Sequence, residues 1–406
     1  NNFAGIAGSN FNYNFAGLLD GAGRDKTNSD DFWYTAAFNL TPLAGLSIKG
    51  DYTGNKFYQD QTQHGKILYQ TMPEESTLSP LSVGTPGGVT KANYGDTYQA
   101  LNLWADYKKS FNDKHNLGVM VGYNQESKKT TKLSVSTSNL FDNNFPVTDL
   151  ASTYNMPSEE ATIWAVQGAF FRLNYDYMQK YLLEVNGRYD GSSKYMSGDR
   201  WGFFPSVSAG WRISEEQFWK ENENLSFINN LKLKASYGIL GNNNIGNYPY
   251  QSVYSLGQEQ NYVFGGVYTQ GAAVTTYVDP GLKWERTRTT DVGIETAFFN
   301  NKLTFNASYF YRKTTDVLYK PAASYSSIFG LSVSQVNTGE LENKGWEFEI
   351  GHQNTIGKFH YHINGNFSII DNKVLTLGMG NVTQNNGMVG NGSDLFIGYP
   401  MQMFYG

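Results

Sequence analysis

The sequence contains no cysteine in 406 residues, which excludes a disulfide framework, a Cys-ligated metal centre and a thiol nucleophile. Long apolar runs are also missing. None, counting glycine, is longer than the run from Leu117 to Tyr123, far short of the roughly 18 residues a membrane-spanning helix requires. Charge is sparse, with Asp, Glu, Lys and Arg at 17% against the roughly 25% usual in soluble domains. The formal net charge is -5 and there is no dense basic tract, which argues against nucleic acid as a partner. No Gly-x-Ser-x-Gly elbow, His-Glu-x-x-His helix or phosphate loop occurs, so the chain is not expected to be an enzyme or to hold a cofactor. Asn1-Asn2-Phe3 carries neither an initiator Met nor a signal peptide, and Phe404-Tyr405-Gly406 reads as an interruption, so a piece of a longer protein is expected.

What is abundant is aromatic: 16% of residues, with 29 Tyr and 26 Phe, beside 43 Gly. Such aromatic content argues against general disorder. The organising signal is a period of two, the mark of strands with one apolar and one polar face. In Tyr181 to Tyr189 one parity reads Tyr181, Leu183, Val185, Gly187, Tyr189 and the other Leu182, Glu184, Asn186, Arg188. Leu231 to Ile239, Val207 to Ile213, Leu303 to Arg312 and Tyr361 to Ile369 repeat the alternation. These runs exceed the globular mode of about 5–6 residues and fit the roughly 9–11 that a tilted strand needs to cross a bilayer. Their apolar parities end in aromatics, including Tyr175, Tyr177, Tyr189, Phe298, Tyr309 and Tyr311, as do the girdles of outer-membrane barrels.

Connections alternate in length. Short ones fall at 41–43, 112–114, 179–180, 300–301 and 356–358, and long ones at 61–95, 137–160, 242–282, 319–334 and 376–395. Periplasmic turns are short and extracellular loops long in up-and-down barrels, so an all-β transmembrane antiparallel barrel of about 13–14 strands is expected over 1–406. Segment 214–229 departs mildly, with one helical turn expected at Glu215 to Trp219 on the short-turn side. By parity, Leu173, Leu183, Val185, Leu233, Phe305, Ala307 and Ile363 should face lipid. Glu184, Arg188, Lys232, Lys234 and Asn364 should face the lumen, together with Arg172, Asp176, Arg212 and Glu347. Arg286 and Arg288 lie on the apolar parity. Arginine facing lipid near the midplane costs about 2–4 kcal/mol, so both are expected above the bilayer on the loop side. Soluble sandwiches, solenoids and propellers also alternate, although a propeller's blade period of about 40–50 residues is not found.

The segment Arg200-Trp201-Gly202-Phe203-Phe204-Pro205, continuing through Ser206 to Glu216, closely resembles a signature of the SusC/RagA family of TonB-dependent outer-membrane transporters. Leu231 to Gly238 with Gly241-Asn242, Leu282 to Thr287, and Asn337 to Glu347 resemble the same family, in the same order, and Tyr399 to Gly406 resembles its approach to a later strand. The signatures cover roughly 200–406; residues 1–199 match in barrel style only. The resemblance implies part of a 22-stranded barrel in the bacterial outer membrane, with a plug domain and last strands outside this chain. It further implies active import of a large nutrient, an oligosaccharide or a peptide. A SusD-like surface lipoprotein would act as lid, and the TonB-ExbB-ExbD complex would supply energy through a plug-borne TonB box. A passive porin or a surface-adhesion barrel is the alternative, and a secreted carbohydrate-binding module a third.

Two residue sets are candidates for the work. Tyr248, Tyr250, Tyr254, Tyr262, Phe264, Tyr268 and Tyr277 in the 242–282 loop offer faces that stack on sugar rings or on a lid, or pack the loop against itself. Arg172, Glu184, Arg188, Arg212, Lys232 and Lys234 offer breakable ion pairs to a plug, or only a wet barrel wall. The long loops 61–95, 137–160, 242–282 and 376–395 are expected to share lid contact. Glu215-Glu216 reads as a charged turn rather than an acid/base pair. His360 and His362, with His352 across the turn, read as polar lining rather than a metal site.

Overall fold

A computed structural model describes residues 21, 23–66, 68–70, 79–81, 87–256, 260–319, 330–377 and 397–401. The 376–395 loop and the terminal segment 402–406 therefore lie largely or wholly outside the described residues, as do 320–329 and parts of 61–95.

The long strands are β1 (Gly23–Leu43), β2 (Leu46–Gly65), β3 (Gly88–Phe111), β4 (His115–Leu140), β5 (Ser158–Tyr177) and β6 (Tyr181–Ser192). They continue with β7 (Trp201–Arg212), β8 (Ile228–Asn242), β9 (Glu285–Phe298), β10 (Leu303–Tyr319), β11 (Val336–Ile356) and β12 (Phe359–Thr376). All belong to one 13-stranded sheet in which each long strand pairs with the next in sequence; Ala151–Tyr154 pairs β4 off that path. Among the described residues no ladder joins β1 to β12. By contact density the chain divides into one compact unit of residues 1–36, 52–100 and 126–164 and a second of 37–51, 101–125 and 165–406.

The short connections are tight because their backbones enter the left-handed region, which matches the twist of paired strands. Asn112 and Asp113 both have φ 51°, Met178 and Gln179 have φ 52° and 55°, and Phe299 to Asn301 have φ 53–62°. One expected turn was displaced: the chain does not reverse at 41–43, where β1 is still paired, but at Ala44-Gly45, where Gly45 has φ 85°. Pro42 reads as a turn signal, yet a glycine with no Cβ is the residue that accepts this φ. The strands also outrun the sequence estimate, reaching 24 residues in β3 and 26 in β4.

The second unit shows the parity across many strands at once. Following the ladders, Tyr175 opposes Leu183, Leu183 opposes Ala209, and Ala209 opposes Ala235. The same row continues through Val292, Tyr309, Trp346 and Ile369. Directly opposed residues share a face, so this is one apolar band. The neighbouring row runs Asn174, Glu184, Ser208, Ser236 and Asp291 on the other face.

Burial runs opposite to a soluble protein. Along β8, Leu233, Ala235 and Tyr237 are exposed while Lys232, Lys234 and Ser236 are half-buried. Along β9, Thr290 and Val292 are exposed while Thr289 and Asp291 are half-buried. Large contiguous apolar exposure marks an interaction surface. The soluble-type core is a small knot: Tyr195, Phe204, Ile245, Leu282 and Trp284 are buried together. Tyr195 and Trp284 rings lie 5.4 Å apart and Phe204 meets Trp284 edge-on at 5.3 Å. The Trp284 indole donates to the Arg200 carbonyl at 2.9 Å, and the Tyr195 hydroxyl to the Asn242 carbonyl at 3.4 Å. This knot ties the 193–200 loop to both ends of the 243–284 loop.

Between β7 and β8 the expected helical turn is present at Gln217–Lys220, flanked by short 3-10 turns. Glu215 and Glu216 are not free in solvent: Glu215 takes Lys220 at 2.7 Å and Arg212 at 3.2 Å, and Glu216 takes Lys180 at 3.1 Å. The Lys220 hydrogen bond holds the Glu215 carboxyl below its ordinary 4.5; burial opposes it, and the Lys220, Arg212 and Lys180 charges add to the lowering. A depressed carboxylate contributes stability that is present above the unfolded pKa and lost as pH falls through the folded one. The protection factors of amides 213–225, with the intrinsic pH dependence of exchange divided out, should therefore be unchanged from pH 7 to about 5 and fall below about 4. Glu215→Gln should exchange fast throughout and lose that pH step.

Candidate functional site

The polar face of the second unit carries all six candidate wall residues, and each already has an internal partner. Arg172 Nε donates to Asn186 Oδ1 at 2.8 Å, and Asn186 donates to Glu184 Oε1 at 2.8 Å. Arg188 donates to Asp190 Oδ1 at 2.8 Å and to Asn124 Oδ1 at 2.9 Å, with its guanidinium over the Phe170 ring at 5.2 Å. Arg212 pairs with Glu215. Lys232 and Lys234 converge on one carboxylate, Glu295, each at 3.2 Å. Glu295 was not among the residues expected to matter. The signal was available, because it shares the polar parity of β9 with Asp291. A concavity of about 870 Å³ on this face is lined by Lys108, Asn116, Glu184, Lys232, Lys234 and Asp291. Half-exposed pairs of this kind hold weakly, at about 0–1 kcal/mol each, and can be re-formed with another chain.

The loop 243–284 contains the seven aromatic candidates, and they divide. Tyr248 and Tyr250 are half-buried. Tyr254, Tyr262, Phe264, Tyr268 and Tyr277 are exposed, Tyr268 at 77%. Tyr262–Phe264 and Val267–Thr269 form a hairpin, closed by Gly265 at φ 56° and Gly266 at φ 83°. Positive φ at both central residues is the two-residue turn that glycine favours. Both hairpin strands are exposed throughout, and Tyr262 and Phe264 rings lie 4.8 Å apart. A second small ladder, Tyr254–Leu256 with Ala272–Val274, supports it from below in sequence.

The signature residues split between knot and face. Phe204 is in the knot, Gly202 is buried where a Cβ would meet the Phe204 ring at 2.4 Å, and Pro205 opposes Gly187. Trp201 and Phe203 are exposed, with Trp201 stacked on Tyr189 at 5.0 Å and 10°. Arg200 supplies the carbonyl that takes Trp284. Arg286 and Arg288 are exposed at the long-loop end of β9. Among the described residues no group of three His, Asp or Glu is placed to hold a metal ion.

An antiparallel sheet with apolar residues outermost, short turns at one end and long loops at the other is the wall of a transmembrane β-barrel. Comparison with known proteins agrees. The family model described as TonB dependent receptor-like, beta-barrel matches residues 1–402. TonB-dependent receptor P39 of Formosa agariphila is 32% identical over 314 residues, covering 76% of this chain and 29% of that protein. TonB-dependent receptor SusC of Bacteroides thetaiotaomicron is 29% identical over 384 residues, covering 86% of this chain and 36% of that protein. The RagAB peptide transporter superposes with TM-score 0.79 at 22% identity, over 94% of this chain and 40% of that chain. The chain belongs to the TonB-dependent receptors, is an outer-membrane β-barrel, and is similar to SusC in sequence and to RagAB in fold. It spans about a third of the length of the curated relatives it matches.

Proposed function

We propose that this barrel wall serves the energised import of a large nutrient across the outer membrane, with a SusD-like lipoprotein seated over the long-loop mouth. In this reading the apolar band faces lipid, and the polar face with Lys232, Lys234 and Glu295 faces the lumen and a plug domain. The observation that carries it is the crown at the long-loop end: a hairpin whose Tyr262, Phe264 and Tyr268 are all exposed, on a loop anchored by the buried Trp284 knot. Exposed aromatic pairs on an anchored base suit binding, because little ordering remains to be done on contact. An oligosaccharide or a peptide fits such faces equally; among relatives, RagAB is a peptide transporter. TonB with ExbB and ExbD supplies the energy.

The test is uptake in cells carrying the whole protein, with the TonB complex intact or deleted. Import of the growth substrate should stop on deletion; a passive porin would keep its rate. Shortening 262–269 to a tight turn should weaken co-purification of the lipoprotein about tenfold without abolishing it, since other long loops share the contact. Unchanged lid binding with failed import would assign the hairpin to the nutrient instead.

A further inference from the structure

The polar parity of β1 is interrupted by one large aromatic. It reads Asp31, Trp33, Thr35 and Asn39, against Phe32, Tyr34, Phe38 and Leu40 on the other parity. Trp33 is exposed. Its ring lies 6.0 Å from that of Tyr98 on β3, with β2 between the two strands. Paired strands stand about 4.8 Å apart, so rings on alternate strands come this close only by leaning toward each other over the middle strand. Trp33 is therefore turned toward β2 and away from the outer edge of β1.

Both rings are held by carboxylates at their polar edges. The Trp33 indole donates to Asp31 Oδ2 at 3.0 Å, and the Tyr98 hydroxyl donates to Glu126 on β4. Asn55 on β2 is buried and donates to the other Asp31 oxygen and to the Phe32 carbonyl, the latter at 3.3 Å. Contacts at the edge fix the indole and leave its face open.

The charge around this pair is one-sided. Among the described residues no Lys or Arg lies within ion-pair distance of Asp31 or Glu126. Lys128, two residues from Glu126, is taken by Asp96 at 2.8 Å. Lys132 sits over the Tyr94 ring, 5.5 Å from its centroid. The wall thus places one of its own cations on an aromatic face, and leaves the indole, the strongest such acceptor, without one. Two carboxylates without counter-ions beside the negative face of a ring concentrate negative potential. Sugar hydroxyls would find acceptors here without relieving that charge; a guanidinium or ammonium supplies both the donors and the charge.

Height places the pair where cargo enters. From Trp33 to the end of β1 at Leu43 the strand runs about 33 Å at roughly 3.3 Å per residue. At a tilt of about 40° that is a rise near 25 Å, the height of a barrel's apolar band. Trp33 stands level with the band's outer rim.

We propose that Trp33, Asp31, Tyr98 and Glu126 form a cation-binding subsite at the mouth of the lumen, and that the imported nutrient is a basic peptide. The proposal rests on the transport reading, in which the polar parity lines the lumen, and narrows its cargo to the peptide class.

The experiment titrates the whole protein in nanodiscs with three probes, read by calorimetry: a capped pentapeptide with one central arginine, its citrulline counterpart, and a neutral glucan of like size. The arginine peptide should bind at least about fivefold more tightly than the citrulline peptide, and added salt should narrow the difference. Trp33→Ala should weaken the arginine peptide about fivefold or more and leave the citrulline peptide unchanged. Trp33→Phe should fall between, and D31N/E126Q should remove the preference for charge. Equal affinity for the arginine and citrulline peptides would overturn the proposal, as would an unchanged affinity in Trp33→Ala. Glucan binding that Trp33→Ala abolishes would also overturn it, by making the ring a sugar platform. Variants that fail to insert are recognised by lost heat-modifiable mobility; the near-isosteric Trp33→Phe and D31N/E126Q then carry the test. Charge-selective binding without TonB-dependent uptake would support the subsite and count against the transport reading alone.

Discussion

Leu233→Arg should destabilise the barrel in a bilayer by roughly 2–4 kcal/mol, the penalty for a guanidinium on the lipid face near the midplane. Leu233 opposes Trp211 on one side and Ile294 on the other, and Ile294 opposes Ala307, so no polar neighbour is available on that row. Ser236→Arg, three residues on, should change stability by no more than about 0.5 kcal/mol. Ser236 lies on the polar face directly opposite Asp291, which would receive the new charge. Denaturant titration of refolding into bilayers compares the two. Equal penalties would mean that the sheet has no lipid side.

The second large effect concerns the knot. Trp284→Ala removes the ring that touches both Tyr195 and Phe204 and the indole N–H that takes the Arg200 carbonyl. Large-to-small changes at buried aromatic sites cost about 3–5 kcal/mol, and here the Arg200 carbonyl also loses its donor. The loss should be local. Burial pushes the Tyr195 phenol far up and the Lys194 amine down, showing how closed this corner is beside open loops. In the variant, loops 193–200 and 243–284 should be cut by protease at least a hundredfold faster while the strands stay resistant. Trp284→Phe, which keeps a ring, should fall between.

The parity of the sheet was legible in the sequence because a period of two needs no knowledge of partners. The lipid and lumen sets chosen by alternation fall on opposite faces without exception: Leu173, Val185 and Leu233 on one, Glu184, Lys232 and Asn364 on the other. The end of each strand was less legible. Pro42 suggested a reversal that Gly45 performs, and β4 continues to Leu140 through a run of polar residues. The knot was invisible for a different reason. Phe204 sits on the polar parity, Leu282 and Ile245 lie in loops, and only three-dimensional closure brings them to Trp284. The loop aromatics were recognised as a set, but no periodicity distinguishes the half-buried Tyr248 and Tyr250 from the exposed Tyr262 and Tyr268. Glu295, which joins Lys232 and Lys234, is set by the register between β8 and β9, a quantity that pairing alone fixes.

The account turns on an inside-out sheet, and nitroxide labels placed one at a time along β8 test that directly. In bilayers, labels at 231, 233, 235 and 237 should be relaxed by oxygen dissolved in lipid, and labels at 232, 234 and 236 should not. An alternation of period two with these odd positions in lipid is the predicted result. The same alternation with Lys232 and Lys234 in lipid, or no alternation at all, would contradict it.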